Sequence, residues 1–272
     1  MRGTLCEALP MRPYETLHVE SHTVGDTFEI MKVDLGDDPQ VTLVVTDANN
    51  TFATAAQAVE SLQLAALVPG MRVIGVGYPG VVDFVETLHV RARDFTPSEM
   101  PVFDMSAGAA RFRDFLTSQV LPAFAIGETV LFGHSLGGLF VIDTLLEQSD
   151  TFDRYIASSP SLWWGPGDCD RKHTAAIESG RRIDAHAYAA IGEFETDDGR
   201  RREGRNLPDG HPAKPGDRYL DMVDDLAKFS ERVVEASLPG LRWTHEVIAG
   251  EFHVSVGPVA LSRGLRHFFA DR

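Results

Sequence analysis

The chain has 272 residues, 43% apolar and 24% charged, with a formal net charge of −15 at pH 7. That size and composition suit one α/β domain over residues 1–272 with a sizeable core. The acidic balance repels polyanions and excludes nucleic-acid and anionic-membrane partners, and no stretch approaches the roughly 18 consecutive apolar residues of a spanning helix.

The first residues, MRGTLCEALPMRPYETLHVES, hold no apolar run of signal-peptide length. Cys6 and Cys169 lie far apart and match no metal or CxxC spacing, so a reduced, cytoplasmic protein without a structural disulfide is expected. Neither a metal nor a cofactor is called for.

Alternation in ETLHVESHTV and TFEIMKVDL predicts two antiparallel strands joined near Gly25-Asp26. VTLVVTD (41–47) is a continuous apolar run, as in a strand buried on both faces, and it enters a turn at Asp47-Ala48-Asn49-Asn50. Residues 52–67 have apolar residues at helical spacing, and RVIGVGY (72–78) is a second buried strand closed by Pro79-Gly80. Residues 107–120 place Phe112, Phe115, Leu116 and Val120 at helical spacing, with Pro122 following. ETVLFG (128–133) predicts a third buried strand and residues 137–148 a helix. Beyond these come strands at 152–160, 183–192 and 241–250, and helices at 218–238 and 256–272. The alternation implies an α/β fold: a mostly parallel central sheet, antiparallel leading strands and helices on both faces.

The stretch 196–217 is rich in Gly, Pro and charge and reads as a long polar loop. Its arginines at 200, 201, 202 and 205 make it either a solvated surface segment or a lid that attracts anionic substrates.

Gly133-His134-Ser135-Leu136-Gly137 matches G-x-S-x-G, directly after the run TVLF and directly before a helix. In that strand–turn–helix setting a serine sits in a strained bend with Oγ exposed, and the N–H of Leu136 faces a developing oxyanion. The bland alternative is a glycine-rich helix start capped by a serine. The chain order of such sites is serine, acid, histidine, each on a loop after a strand. His173 and His211 fall in polar loops, His186 and His245 inside strands and His267 inside the last helix. His253, between the last strand and the closing helix, is the base in the right place. The acid belongs after the strand 183–191, where Glu193, Glu195, Asp197 and Asp198 are candidates. Glu195 is preferred because a turn at Gly192 lets the third residue on face back; a Ser–His dyad is the alternative.

Taken together, VTDAN, the Arg91–Pro97 segment RARDFTP, SAGAARFRDFL, GHSLGGLF, SSPSLWW, IGEFET and GEFHVSVGPVALSRGLRHFF resemble the esterase family that includes the enterobactin-type trilactone esterases, in the esterase D group of α/β-hydrolases. The resemblance implies an α/β-hydrolase fold, Ser135 as nucleophile, His253 as base and the Asn49 N–H as oxyanion donor beside Leu136. It places Arg91, Trp163 and Trp164 near the substrate, with core packing for the tryptophans and an ion pair to Asp94 for Arg91 as alternatives. One departure stands out: Asp47-Ala48 replaces the family's Asp-Gly, although alanine takes positive φ less freely than glycine.

The reading that follows is a serine hydrolase acting on a small-molecule carboxylic ester, siderophore-type lactones included, through an acyl-enzyme. Acyl transfer from the same serine and a non-catalytic binding module on a retained fold are the alternatives.

Overall fold

A computed structural model describes residues 13–80, 84–99, 107–165, 168–205 and 220–270. Cys6, His211 and residues 206–217 of the polar stretch lie outside it.

Eight strands form one sheet: β1 Glu15–Glu20, β2 Thr27–Leu35, β3 Val41–Thr46, β4 Met71–Gly77, β5 Glu128–His134, β6 Arg154–Ser158, β7 His186–Gly192 and β8 Arg242–Ile248. Their spatial order is β1-β2-β4-β3-β5-β6-β7-β8. The β1/β2 and β2/β4 pairs are antiparallel, and every later pair is parallel. Every residue of β3 and β6 is buried, which is why the β3 segment reads as a continuous apolar run, whereas β6 buries Arg154 and Ser158 as well. Chain order reverses direction between β3 and β5, so a crevice opens at their carboxyl ends, where ligands bind in open α/β sheets.

Nine helices are described: α1 Ala48–Leu64, α2 Phe84–Phe95, α3 Ala109–Phe115, α4 Leu121–Phe124, α5 Leu136–Glu147, α6 Asp168–Glu178, α7 Asp197–Glu203, α8 Met222–Ala236 and α9 His253–Phe269. A π-helical turn, Leu116–Val120, joins α3 to α4 without a break in the helical backbone, and Pro122 lies just beyond it. Helices α1 and α9 cover one face of the sheet, packing Phe52, Val59 and Leu265 against Leu43 and Val130. Helices α2, α3, α5, α6 and α8 cover the other, where Phe95, Phe112, Phe140 and Phe229 join a second core. Helix α5 is buried from Leu136 to Leu146 and mostly apolar because sheet and helices surround it. Among the described residues, no helix is long and apolar enough to cross a membrane.

The sequence reading needs correcting at three helices. Helix α2 is not apparent from the sequence because its buried Ala92 and Phe95 alternate with Arg91, Arg93 and Asp94, which are occupied in ion pairs. Helix α6 places His173 in a helix rather than a polar loop. Part of its inner face is polar: Lys172 Nζ lies 2.6 Å and His173 Nε2 3.6 Å from Asp143 of α5. Helix α7 occupies the start of the expected loop. Thr196 caps it by accepting the Gly199 N–H, and Arg201 pairs with Asp197 one turn away.

Asp143 is fully buried and also takes Arg113 Nη1 of α3 at 3.0 Å, so one carboxylate ties three helices together. Burial alone would raise its pKa, but the bonds from His173 and Lys172 hold it down to about 2. A depressed folded-state pKa stabilises the fold above the unfolded value of 3.8, and that contribution is lost as pH falls towards about 2. Asp143→Ala strands these cations and is expected to cost about 3–5 kcal/mol, read from urea midpoints at pH 7. The deficit should shrink when the titration is repeated near pH 3.

Candidate active site

Strand β5 ends at His134, and the next residue, Ser135, has φ 62 and ψ −117 before α5 begins at Leu136. A left-handed serine is strained and persists only where its surroundings dictate it. Here a β-carbon on Gly133 would run into the Gly137 carbonyl, and one on Gly137 would lie 2.5 Å from Thr46 Oγ1. Glycine at both positions is therefore a requirement of space. The Ser135 N–H donates to the Ser158 carbonyl at 2.9 Å, and its own carbonyl accepts from Leu139 N–H at 3.0 Å and Ser161 N–H at 3.2 Å. The backbone is thus tied on both sides while the hydroxyl faces the crevice.

His253 opens α9, and its Nε2 lies 3.1 Å from Ser135 Oγ. Its Nδ1 lies 2.6 Å from Glu195 Oε2. A carboxylate can only accept, so Nδ1 carries the proton and Nε2 is left as the base facing the serine. Glu195 has no exposed surface. Its Oε1 accepts the Ser159 hydroxyl at 2.6 Å and the Gly192 N–H at 2.8 Å. The turn at Gly192 closes through the Glu195 N–H to the Gly192 carbonyl at 3.1 Å. The other three acids are elsewhere: Glu193 accepts the Gly250 N–H, Asp197 pairs with Arg201, and Asp198 is exposed.

The His134 ring lies 4.8 Å from that of His253 and is tilted 38° to it, with Nδ1 3.0 Å from Ser158 Oγ. Burial, with His253 and Arg91 nearby, holds its pKa well below the usual histidine value. It remains neutral at pH 7 and adds no charge beside the base.

Leu136 opens α5 and Ala48-Asn49 open α1, so both helices start at the carboxyl ends of the neighbouring strands β5 and β3. The positive φ, 56, falls on Asp47 and not on Ala48, which is helical. The replacement of glycine by alanine therefore leaves this turn intact. The Asp47 carbonyl accepts from Asn50 N–H at 2.8 Å, and the Asn49 side chain clasps the Tyr78 backbone through Nδ2 at 2.9 Å and Oδ1 at 2.8 Å.

Arg91 does not pair with Asp94, whose oxygens are taken by Arg93 at 2.8 Å. Its Nε instead binds Asp47 Oδ1 at 2.7 Å and its Nη2 the His134 carbonyl at 3.3 Å. These bonds make Arg91 a brace between the Asp47 turn and the residue before Ser135, in place of the alternative pair with Asp94. Trp164 is a correction: it is 3% exposed and donates its indole N–H to the Ser98 carbonyl at 2.9 Å, which leaves no face for a ligand. Trp163 is half-buried, packed against the core with its ring 5.9 Å from that of Trp164.

No protein-family model matches the chain. It is 29% identical over 242 residues to the ferri-bacillibactin esterase BesA of Bacillus subtilis, covering 81% of this chain and 75% of that protein. It is 27% identical over 260 residues to the siderophore triacetylfusarinine C esterase of Aspergillus fumigatus, covering 87% and 84%. The chain resembles the siderophore esterases. Among solved structures, an IroE-like serine hydrolase from Shewanella oneidensis aligns with TM-score 0.77 at 21% identity, over 95% of this chain and 81% of that one. The BES protein from Bacillus cereus aligns with TM-score 0.77 at 24% identity, over 98% of each. The fold is that of the α/β-hydrolases.

Sequence reasoning missed several neighbours of this esterase-like site. Arg202 of α7 lies over the rings of Phe194, at 5.0 Å, and Phe252, at 5.8 Å, the residues just before Glu195 and His253. Glu203 Oε1 accepts the Val254 N–H at 3.0 Å. A polar stretch whose basic residues flank two phenylalanines of the site was the only available signal. The serines of 158–161 were visible as a serine-rich turn, but their partners were not.

Burial raises the Asp47 pKa, with Arg91 opposing it. Arg91→Met strands that carboxylate and is expected to cost about 3–5 kcal/mol in urea unfolding. Adding Asp47→Asn should recover part of the loss, because the two residues share one interaction.

Proposed function

We propose that this chain is a serine esterase that cleaves carboxylic esters, siderophore-type lactones among them, through an acyl-enzyme on Ser135. The observation that carries the reading is the continuous line from Ser135 Oγ to His253 Nε2 at 3.1 Å and from His253 Nδ1 to Glu195 Oε2 at 2.6 Å. Two relatives named as siderophore esterases, each matched over most of its length, support the substrate class.

In the first half-reaction His253 Nε2 takes the hydroxyl proton as Ser135 Oγ bonds to the ester carbonyl carbon. The carbonyl oxygen becomes an oxyanion held by the Leu136 and Asn49 N–H groups, each such donor being worth about 10²–10³ in turnover. Collapse breaks the bond to the alcohol oxygen, which leaves with the proton from His253. Glu195 holds the Nδ1 proton and faces the imidazolium throughout. Water then enters, gives a proton to His253 and attacks the acyl carbon. The second collapse releases the acid, and the proton returns to Ser135. From a cyclic lactone the first turnover yields an open chain bearing one new hydroxyl and one new carboxylate.

A fluorophosphonate probe should label wild type and fail to label Ser135→Ala. That variant should lose about 10⁶ of kcat on p-nitrophenyl acetate. Glu195→Gln, which favours the wrong imidazole tautomer, should lose about 10⁴. Hydrolysis unchanged in Ser135→Ala would exclude the nucleophile. For the substrate class, trilactones should be opened faster than simple alkyl esters by wild type, with Ser135→Ala as the blank.

A further inference from the structure

Residues 158–161, Ser-Ser-Pro-Ser, close β6 beside the elbow, and each serine hydroxyl meets a different member of the site. Ser158 Oγ lies 3.0 Å from His134 Nδ1, Ser159 Oγ 2.6 Å from Glu195 Oε1, and Ser161 Oγ 3.4 Å from Ser135 Oγ. All three serines are buried, at 0%, 0% and 1% exposure. Ser159 also has φ 43, a conformation glycine adopts freely and serine only at a cost. Its N–H is fixed to the Ala190 carbonyl at 2.7 Å. A strained backbone at this point aims a hydroxyl that glycine would not supply.

We propose that Ser159 is a positioning residue that acts on catalysis through Glu195. A carboxylate removed from water needs donors on both oxygens. Oε2 faces His253, so Oε1 must be satisfied from elsewhere, and Ser159 and Gly192 do this. Their two bonds fix the carboxylate plane so that Oε2 faces Nδ1 of His253. The Gly192 N–H belongs to the same turn as Glu195, whereas Ser159 comes from the loop after the neighbouring strand. Ser159 therefore sets the acid relative to β6 and, through the Ser135 N–H bond to Ser158, relative to the nucleophile.

The proposal rests on the esterase reading, and the test separates the two. Steady-state hydrolysis of p-nitrophenyl acetate is measured across pH for wild type, Ser159→Ala, Ser159→Gly, Glu195→Gln and the Ser159→Ala/Glu195→Gln double variant. Both Ser159 variants should lose between about tenfold and a hundredfold in kcat, with KM nearly constant. Glycine fits φ 43, so an equal loss in Ser159→Gly assigns the effect to the hydroxyl and not to the backbone. The acid limb of kcat/KM should move to lower pH, because the imidazolium loses its aligned carboxylate. Ser159→Ala should cost nothing further once Glu195 is glutamine. Losses that multiply in the double variant, or an acid limb that stays in place, overturn the positioning role in an enzyme that is otherwise active. A wild type that neither hydrolyses the ester nor takes the fluorophosphonate label removes the esterase reading and the positioning role with it.

Discussion

The left-handed backbone at Ser135 costs about 1–3 kcal/mol and survives only because its surroundings leave it no alternative. Strand β5 enters the turn from the middle of the sheet, and α5 leaves it buried along nearly its whole length. Gly133 and Gly137 let the two arms of the bend cross closely. Further along, Asp143 fastens α5 to α3 and α6, so the helix cannot rotate to relieve the strain. The exposed hydroxyl at one end of α5 and the buried ion cluster within it are thus parts of one arrangement.

Charge is distributed around that bend with the same economy. Glu195 is wholly buried, yet each oxygen has a donor. Asp47 is buried and faces Arg91, whose guanidinium also reaches the carbonyl preceding the nucleophile. His134, in contact with the base, stays neutral because burial disfavours its charged form. Among the described residues, His253 Nε2 is the ring nitrogen that faces the Ser135 hydroxyl, at 3.1 Å.

How legible this was in the sequence depended on the kind of interaction. VTLVVT and ETVLFG stood out because burial on both sheet faces leaves no polar break. Ser135, His253 and Glu195 could be singled out because loop order after successive strands dictates which residues share one sheet edge. Helix α6 was not visible, since part of its inner face is Lys172 and His173 and its partner, Asp143, is remote in sequence. The ion-pair partner of Arg91 was hidden for a similar reason: Asp94, three residues on, was the local candidate, whereas Asp47 lies 44 positions away. Trp164 could have lined a pocket or the core on composition alone, and only the Ser98 carbonyl decides it. Polar contacts distant in sequence leave no periodic trace.

Helix α7 has a mechanical consequence. The base follows β8, the outermost strand at that side of the sheet and the element with least burial there. An edge strand is where a sheet opens most readily, and a histidine hung from it alone would drift from its carboxylate. Arg202 spans the rings preceding both residues, and Glu203 holds the backbone just after His253. Acid and base are therefore coupled by a link outside the sheet, which opposes the drift of His253 from Glu195 when β8 frays.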